Sequence, residues 1–441
     1  MKSFLSLVLF GGILGAALAA PEPAPTGPLD LDRAIATVLS RYPSLAAAQA
    51  AVDSARGRVE QSRSAERPQI SAEAAYSYLS FRPHVDFVLP SGTSSFYETI
   101  QNSYTANLKV RQLLTDFGRT DALIALARAG EMSAKDAFES ARSQLGYQTI
   151  QAFYGVILLR ASTAVVDEEI GSLTEAMRIS EKKYHGGTAT KFDLLTTQVR
   201  LAAARNRRTD TSAAREKQET MLRQLLGLAP AEPLVLVGDF GPPPATPDLS
   251  ETLAAGLRNR PEMHLARDAE RSSELALDAA NRENRPVLAA QASGGVQDAQ
   301  LPELYSNRGY VAAGLSVSVP IFTGQRIAGE RISARADLRA AQARASELNL
   351  TITTDVADAF SDLKAAQARL ANSEPLVDQA REALGLAKSR YTNGVITNFE
   401  LLDAQSSIRG AELARLQARY DCALARQAVA RAAGQPPTAA P

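Results

Sequence analysis

The chain has 441 residues, with 48 basic side chains against 48 acidic, one cysteine and no tryptophan. Balanced charge gives no reason to expect nucleic acid as a partner. A single cysteine excludes an intrachain disulfide and a cysteine-built metal cluster, and a composition rich in Ala and Arg favours long helices with small, closely packing faces.

Residues 1–20 read as a signal peptide: Lys2, an apolar run over 5–14, then Ala17-Leu18-Ala19 as a small-residue cleavage site. No later stretch approaches the roughly 18–20 apolar residues of a membrane helix, so a membrane span would have to be made of strands. Residues 21–228 form a first repeat. It comprises a helical segment over about 30–66 stopped by Arg67-Pro68, a β-hairpin over about 69–115, and long helical patterns over 119–184 and 190–227. A Pro-rich linker covers 229–247. The second repeat, 248–434, has a helical segment to 284, a hairpin over about 287–322 and helices over 326–391 and 396–434. A short tail, 435–441, follows. Pro375 predicts a kink or a join of two stacked helices within 326–391.

The duplication is read directly from residues. The stretch 184–198 lies over 391–405 at an offset of 207, with seven of 15 positions identical and Asp193 facing Glu400. Upstream the offset is 218, pairing Pro43 with Pro261 and Arg67-Pro68 with Arg285-Pro286. The first copy therefore carries extra chain between Pro68 and Asp116.

In the hairpins the period changes to two. Tyr104, Ala106, Leu108 and Val110 alternate with Thr105, Asn107, Lys109 and Arg111. Val311, Ala313, Leu315, Val317 and Val319 alternate with Tyr310, Ala312, Gly314, Ser316 and Ser318. Such strands have the length and two-faced character of outer-membrane strands. Four of them cannot close a barrel, and an open sheet in lipid leaves its edges unpaired. The expected fold is mainly α with a membrane β-barrel portion, the four-stranded protomer sharing its barrel with other copies. A homotrimer would supply twelve strands. The competing reading is a structural periplasmic coiled-coil or adaptor protein. His84, His185 and His264 lie far apart, and no nucleotide loop, zinc-binding pair or nucleophile elbow occurs. Neither enzyme chemistry nor a metal or cofactor is expected.

The duplicated architecture, the Tyr-x-x-Gly-x-x-x-x-Phe-(Asp/Glu)-Leu-Leu turns at 184–195 and 391–402, and the hairpin exits over 114–119 and 320–326 together resemble the TolC-like outer-membrane efflux proteins. The resemblance implies a trimeric twelve-stranded β-barrel in the bacterial outer membrane and an α-barrel of coiled-coil-like helices across the periplasm. It implies an exit duct of a tripartite efflux or type I secretion system. Its partners would be a periplasmic adaptor, an inner-membrane pump and outer-membrane lipid. It places tip-closure contacts at Asp193 and Tyr391, an acidic ring at Glu400 and Asp403, and adaptor-facing turns at Gly187 and Gly394. On spacing alone Glu400 and Asp403 read as ordinary solvated helix acids, and the glycines as left-handed helix ends. Ile396 stands where the resemblance expects an arginine, which removes the charged half of the tip lock.

Overall fold

The computed structural model describes residues 27–81, 84–97, 102–242, 245–298 and 307–437; the signal-peptide reading lies outside them. The chain begins with α1 (Leu31–Arg41) and α2 (Pro43–Arg63), and the second copy has α5 (Leu249–Asn259) and α6 (Pro261–Arg282) in the same places. Each helical segment expected as one piece is therefore two. The residue before a proline is pushed out of the helical region. Tyr42 (φ −69°, ψ 125°) and Arg260 (φ −65°, ψ 128°) are accordingly extended, and each proline begins the next helix.

The long patterns fold as α3 (Arg119–His185) paired with α4 (Lys191–Leu226), and α7 (Arg326–Thr392) paired with α8 (Asn398–Ala432). At 67 residues each, α3 and α7 extend roughly 100 Å. α7 continues as one helix through Pro375, where a kink or a join was expected, so the two-helix alternative does not hold. The long stripe of Ile352, Val356, Leu363, Leu370 and Val377 is buried on both sides of the proline, and that packing holds the helix together. Towards the sheet, α2 packs on α3, α3 on α6 and α6 on α7; towards the far end α3 also meets α8.

The largest core forms a waist. Ile150, Phe153 and Val156 of α3 meet Leu222 and Leu226 of α4 and Val38 of α1. Burial of each such side chain contributes about 1.5–3 kcal/mol. The 229–247 segment does more than separate the copies, since Leu234, Leu236 and Phe240 enter this core. The Leu29 N–H donates to the Val235 carbonyl at 2.8 Å, and the Val237 N–H donates to the Leu29 carbonyl at 2.9 Å. By length and composition alone α3 contains a window apolar enough to cross a membrane, where the sequence reading expected none. Its apolar middle, from Leu145 to Val156, is built into the waist.

The sheet contains β1 (Gln69–Tyr78), β4 (Asn102–Thr115), β5 (Val287–Asp298) and β6 (Asn307–Ser318), all antiparallel in the order β1-β4-β5-β6. The extra chain of the first copy holds a separate small hairpin, β2 (His84–Leu89) and β3 (Gly92–Tyr97), inside the span that the sequence suggests is one hairpin. Gly295 marks a close strand approach: a Cβ there would stand 2.3 Å from the Ala106 carbonyl oxygen.

Candidate functional site

Cross-strand pairing sorts the sheet into two faces. Ile70 pairs with Val110, Ala72 with Leu108 and Tyr76 with Tyr104; Leu288 pairs with Val317 and Ala290 with Leu315. This apolar face lies open in the single chain, with Val311 89% and Leu315 72% exposed. An apolar face of that size must meet something other than water. The rings of Tyr76 and Tyr104 meet with centroids 5.0 Å apart and planes tilted by 36°. The opposite face is polar and bounds a trough of about 680 Å³ whose lining includes Gln69, Ser71, Lys109, Arg111, Gln291 and Ser293. Lys109 donates to Glu73 at 2.5 Å across it. β1 and β6 are the two outer strands, and each has one edge without a neighbour in the sheet.

At the hairpin exits the chain turns sharply from strand to helix through consecutive left-handed residues: Phe117 (φ 55°) and Gly118 (φ 87°) in the first copy, Gly324 (φ 58°) and Gln325 (φ 70°) in the second. A non-glycine residue holds that conformation only when its surroundings impose it. Arg285 donates to the Phe117 carbonyl and Arg282 to the Gly118 carbonyl, the latter at 2.9 Å. Asp116 accepts from the Thr120 N–H at 2.8 Å. The equivalent arginines of the two copies, Arg119 and Arg326, both reach Glu283, at 2.7 and 3.4 Å. One carboxylate thus ties the two exits together.

At the far end, both helix pairs turn through the same chain of hydrogen bonds. Gly187 (φ 73°) donates to Tyr184 and Thr188 to Lys183; Gly394 (φ 76°) donates to Tyr391 and Val395 to Arg390. These are Schellman ends, which need a residue at positive φ. The next helix then starts with a capping box in each copy. Asp193 accepts from the Thr190 N–H at 3.0 Å and from its hydroxyl at 2.7 Å. Glu400 accepts from the Thr397 N–H at 2.7 Å and from its hydroxyl at 2.9 Å. The Thr-x-x-Asp and Thr-x-x-Glu spacing signals such boxes, and the sequence reading passed over it.

Asp193 and Glu400 therefore do the same local work, although the resemblance gave them different roles. The hydrogen bonds from Thr397 hold the Glu400 carboxyl below its ordinary range, whereas crowding of like charges would raise it. Asp403 is exposed one turn further along. Tyr391 is buried, and its partner within the chain is Lys183, whose ammonium stands 3.8 Å above the ring and donates to the Tyr391 carbonyl at 2.7 Å. A second tie crosses the copies where Asn398 donates to the Asp193 carbonyl at 3.1 Å and to the Thr197 hydroxyl at 2.9 Å. Lys183 and Asn398 were not singled out in the sequence, because Lys183 lies just before the repeated motif and Asn398 stands at one of its variable positions. Further up, Glu169 receives Arg207 of α4 at 2.5 Å and Arg409 of α8 at 2.6 Å.

A sheet with one apolar and one polar face, set on helices about 100 Å long, has the build of an outer-membrane duct. Comparison with known proteins agrees. The family model for outer membrane efflux proteins matches residues 34–228 and 253–435, one match for each copy, and the chain belongs to that family. It is 26% identical to the protein CyaE of Bordetella pertussis, over 90% of this chain and 83% of the relative. It is 25% identical to the alkaline protease secretion protein AprF of Pseudomonas aeruginosa, over 82% and 76%. Among solved structures, the CmeC outer membrane channel of Campylobacter jejuni superposes with a TM-score of 0.79 at 17% identity, over 93% of this chain and 87% of that one. VceC of Vibrio cholerae superposes with 0.76 at 21%, over 92% and 96%. The protein is an outer-membrane channel of the efflux and secretion type, with its helices in the periplasm.

Proposed function

We propose that three copies close side by side, β1 of one chain against β6 of the next, into a twelve-stranded barrel continuous with a helical tube. The duct carries export cargo passively, without chemistry of its own. The observation that carries this reading is the four-stranded sheet whose apolar face is bare and whose two edges have no partner among the described residues. Unpaired backbone groups in lipid cost several kcal/mol each, so the edges must find one another. In this reading a periplasmic adaptor, itself bound to an inner-membrane pump, meets the turns at Gly187 and Gly394. Asp193 and Tyr391 contribute to closure, and Glu400 with Asp403 rings the entrance. The shared capping geometry and the ties through Lys183 and Asn398 support placing the gate at these tips.

The test is a pair of cysteines, one on β1 and one on β6. These strands lie at opposite ends of the sheet in one chain, so a disulfide between them joins different chains. A cross-linked trimer that conducts in planar bilayers is the expected result. A cross-linked dimer, or a detergent-free soluble monomer, would overturn the arrangement and favour a periplasmic structural protein instead.

A further inference from the structure

The polar face of the sheet is layered. At one level Gln69 lies opposite Arg111, Arg111 opposite Gln291, and Gln291 opposite Gly314. At the next level Ser71, Lys109 and Ser293 follow in the same way. Around this level the face carries Glu73, Lys109 and Arg111. Glu73 is committed to Lys109 at 2.5 Å. Arg111 is exposed, lines the trough, and has no ion-pair partner among the described residues. A neutralised pair therefore sits beside a guanidinium whose charge is uncompensated, flanked on both sides by amides that can donate.

We propose that Arg111, with Gln69 and Gln291, forms an oxyanion-selecting level in the lumen of the barrel. This rests on the duct reading above, which turns the polar face inward. Three copies bring three guanidinium groups to one height of the barrel. A guanidinium offers paired N–H donors that match the two oxygens of a carboxylate, phosphate or sulfate, and the flanking amides extend that donor set. The low-dielectric wall behind the strands focuses the field of the three charges into the lumen. Gly314, which completes the level, has no side chain to fill the trough. The duct is then electrically graded: acidic residues at the periplasmic tips, an anion-attracting level inside the membrane. The ligand class is an anionic group on cargo in transit.

Reversal potentials in a potassium chloride gradient test this, measured at about 0.01 M salt, where screening extends to roughly 30 Å. Wild type, Arg111→Gln and Glu73→Gln are compared, with added sodium sulfate as the probe of block. Arg111→Gln should lower the chloride-to-potassium permeability ratio about threefold and abolish sulfate block, with single-channel conductance otherwise kept. Glu73→Gln, which frees Lys109, should move the ratio the opposite way. Conducting Arg111→Gln channels with an unchanged ratio and unchanged sulfate block would overturn the proposal while leaving the duct intact. A wild-type protein that forms no trimer in the membrane, or that stays non-conducting even in tip-opened Lys183→Met, would take away the duct reading and this site with it.

Discussion

The ammonium of Lys183 sits 3.8 Å above the ring of Tyr391 and donates to the same residue's carbonyl at 2.7 Å, so the end of α3 holds the end of α7. The contact joins the first copy to the second at the tip, where Ile396 stands in place of the arginine that the resemblance implies. A cation over a partly desolvated aromatic ring contributes about 0.5–2 kcal/mol, and a charged hydrogen bond about 1.5–3 kcal/mol. Lys183→Met keeps the aliphatic stem and removes both. If this tie holds the tips closed, resting conductance should rise about tenfold, the equivalent of roughly 1.4 kcal/mol. Trimer yield should be unchanged. An unaltered resting conductance in planar bilayers would remove Lys183 from the closure.

The capping box at Glu400 gives a pH dependence with a definite sign. Its carboxyl is held below the ordinary value by the hydrogen bonds from Thr397. The folded form thus favours the carboxylate, and the stabilisation is fully present above the unfolded value, about 4.3. It is lost as the pH falls through the lower folded value. Protection at the first turn of α8, measured by hydrogen exchange and corrected for the intrinsic pH dependence of the rates, should therefore be flat from pH 7 to about 5 and fall below about pH 4. Glu400→Gln keeps an acceptor and should abolish the pH step. A step centred well above pH 5 would instead indicate acidic crowding in the assembled ring.

Much of this molecule could be read from its residues. Period-two alternation from Tyr104 to Arg111 gave the strands, and the two copies of the tip motif gave the turns, because each is a local rule. What escaped was decided by contacts between distant segments or by exclusion at one peptide. Pro43 and Pro261 are paired in the repeat, yet their breaking of α1–α2 and α5–α6 depends on Tyr42 and Arg260 leaving the helical region. Conversely, Pro375 failed to break α7 because buried neighbours on both sides outweigh one lost hydrogen bond. Lys183 meets Tyr391 across 208 positions, and no periodicity announces such a pair.

Glu169 is the carboxylate on which three helices converge, with Arg207 at 2.5 Å and Arg409 at 2.6 Å. The acid is almost fully buried, whereas Arg207 remains more than a third exposed and Arg409 about a fifth. Removing the charge from a fully buried pair costs about 3–5 kcal/mol. Solvent relieves part of that here, so Glu169→Gln should destabilise by about 2–3 kcal/mol. Thermal denaturation of the purified protein, followed by helical circular dichroism, should show a lower midpoint. Arg207→Met should show a smaller fall, since Arg409 still holds the acid. Equal falls for the two variants would contradict the shared clamp.

Gly295 tests the sheet where it is least forgiving. Its absent Cβ would lie 2.3 Å from the Ala106 carbonyl oxygen and 2.7 Å from the Asn107 Cα, both backbone atoms that cannot swing aside. Any side chain must push β4 and β5 apart at the seam joining the two copies, and parted strands inside a membrane lose hydrogen bonds that lipid cannot replace. Gly295→Val should therefore greatly reduce assembled trimer in the outer membrane. Gly314→Val, at a site where a Cβ meets nothing within 4 Å, should assemble like wild type. The readout is the fraction of heat-resistant oligomer on unboiled gels of outer-membrane extracts. Loss in both variants would point to a general intolerance of bulk on the polar face, and normal assembly of Gly295→Val would mean that β4 and β5 are spaced more widely than 2.3 Å implies.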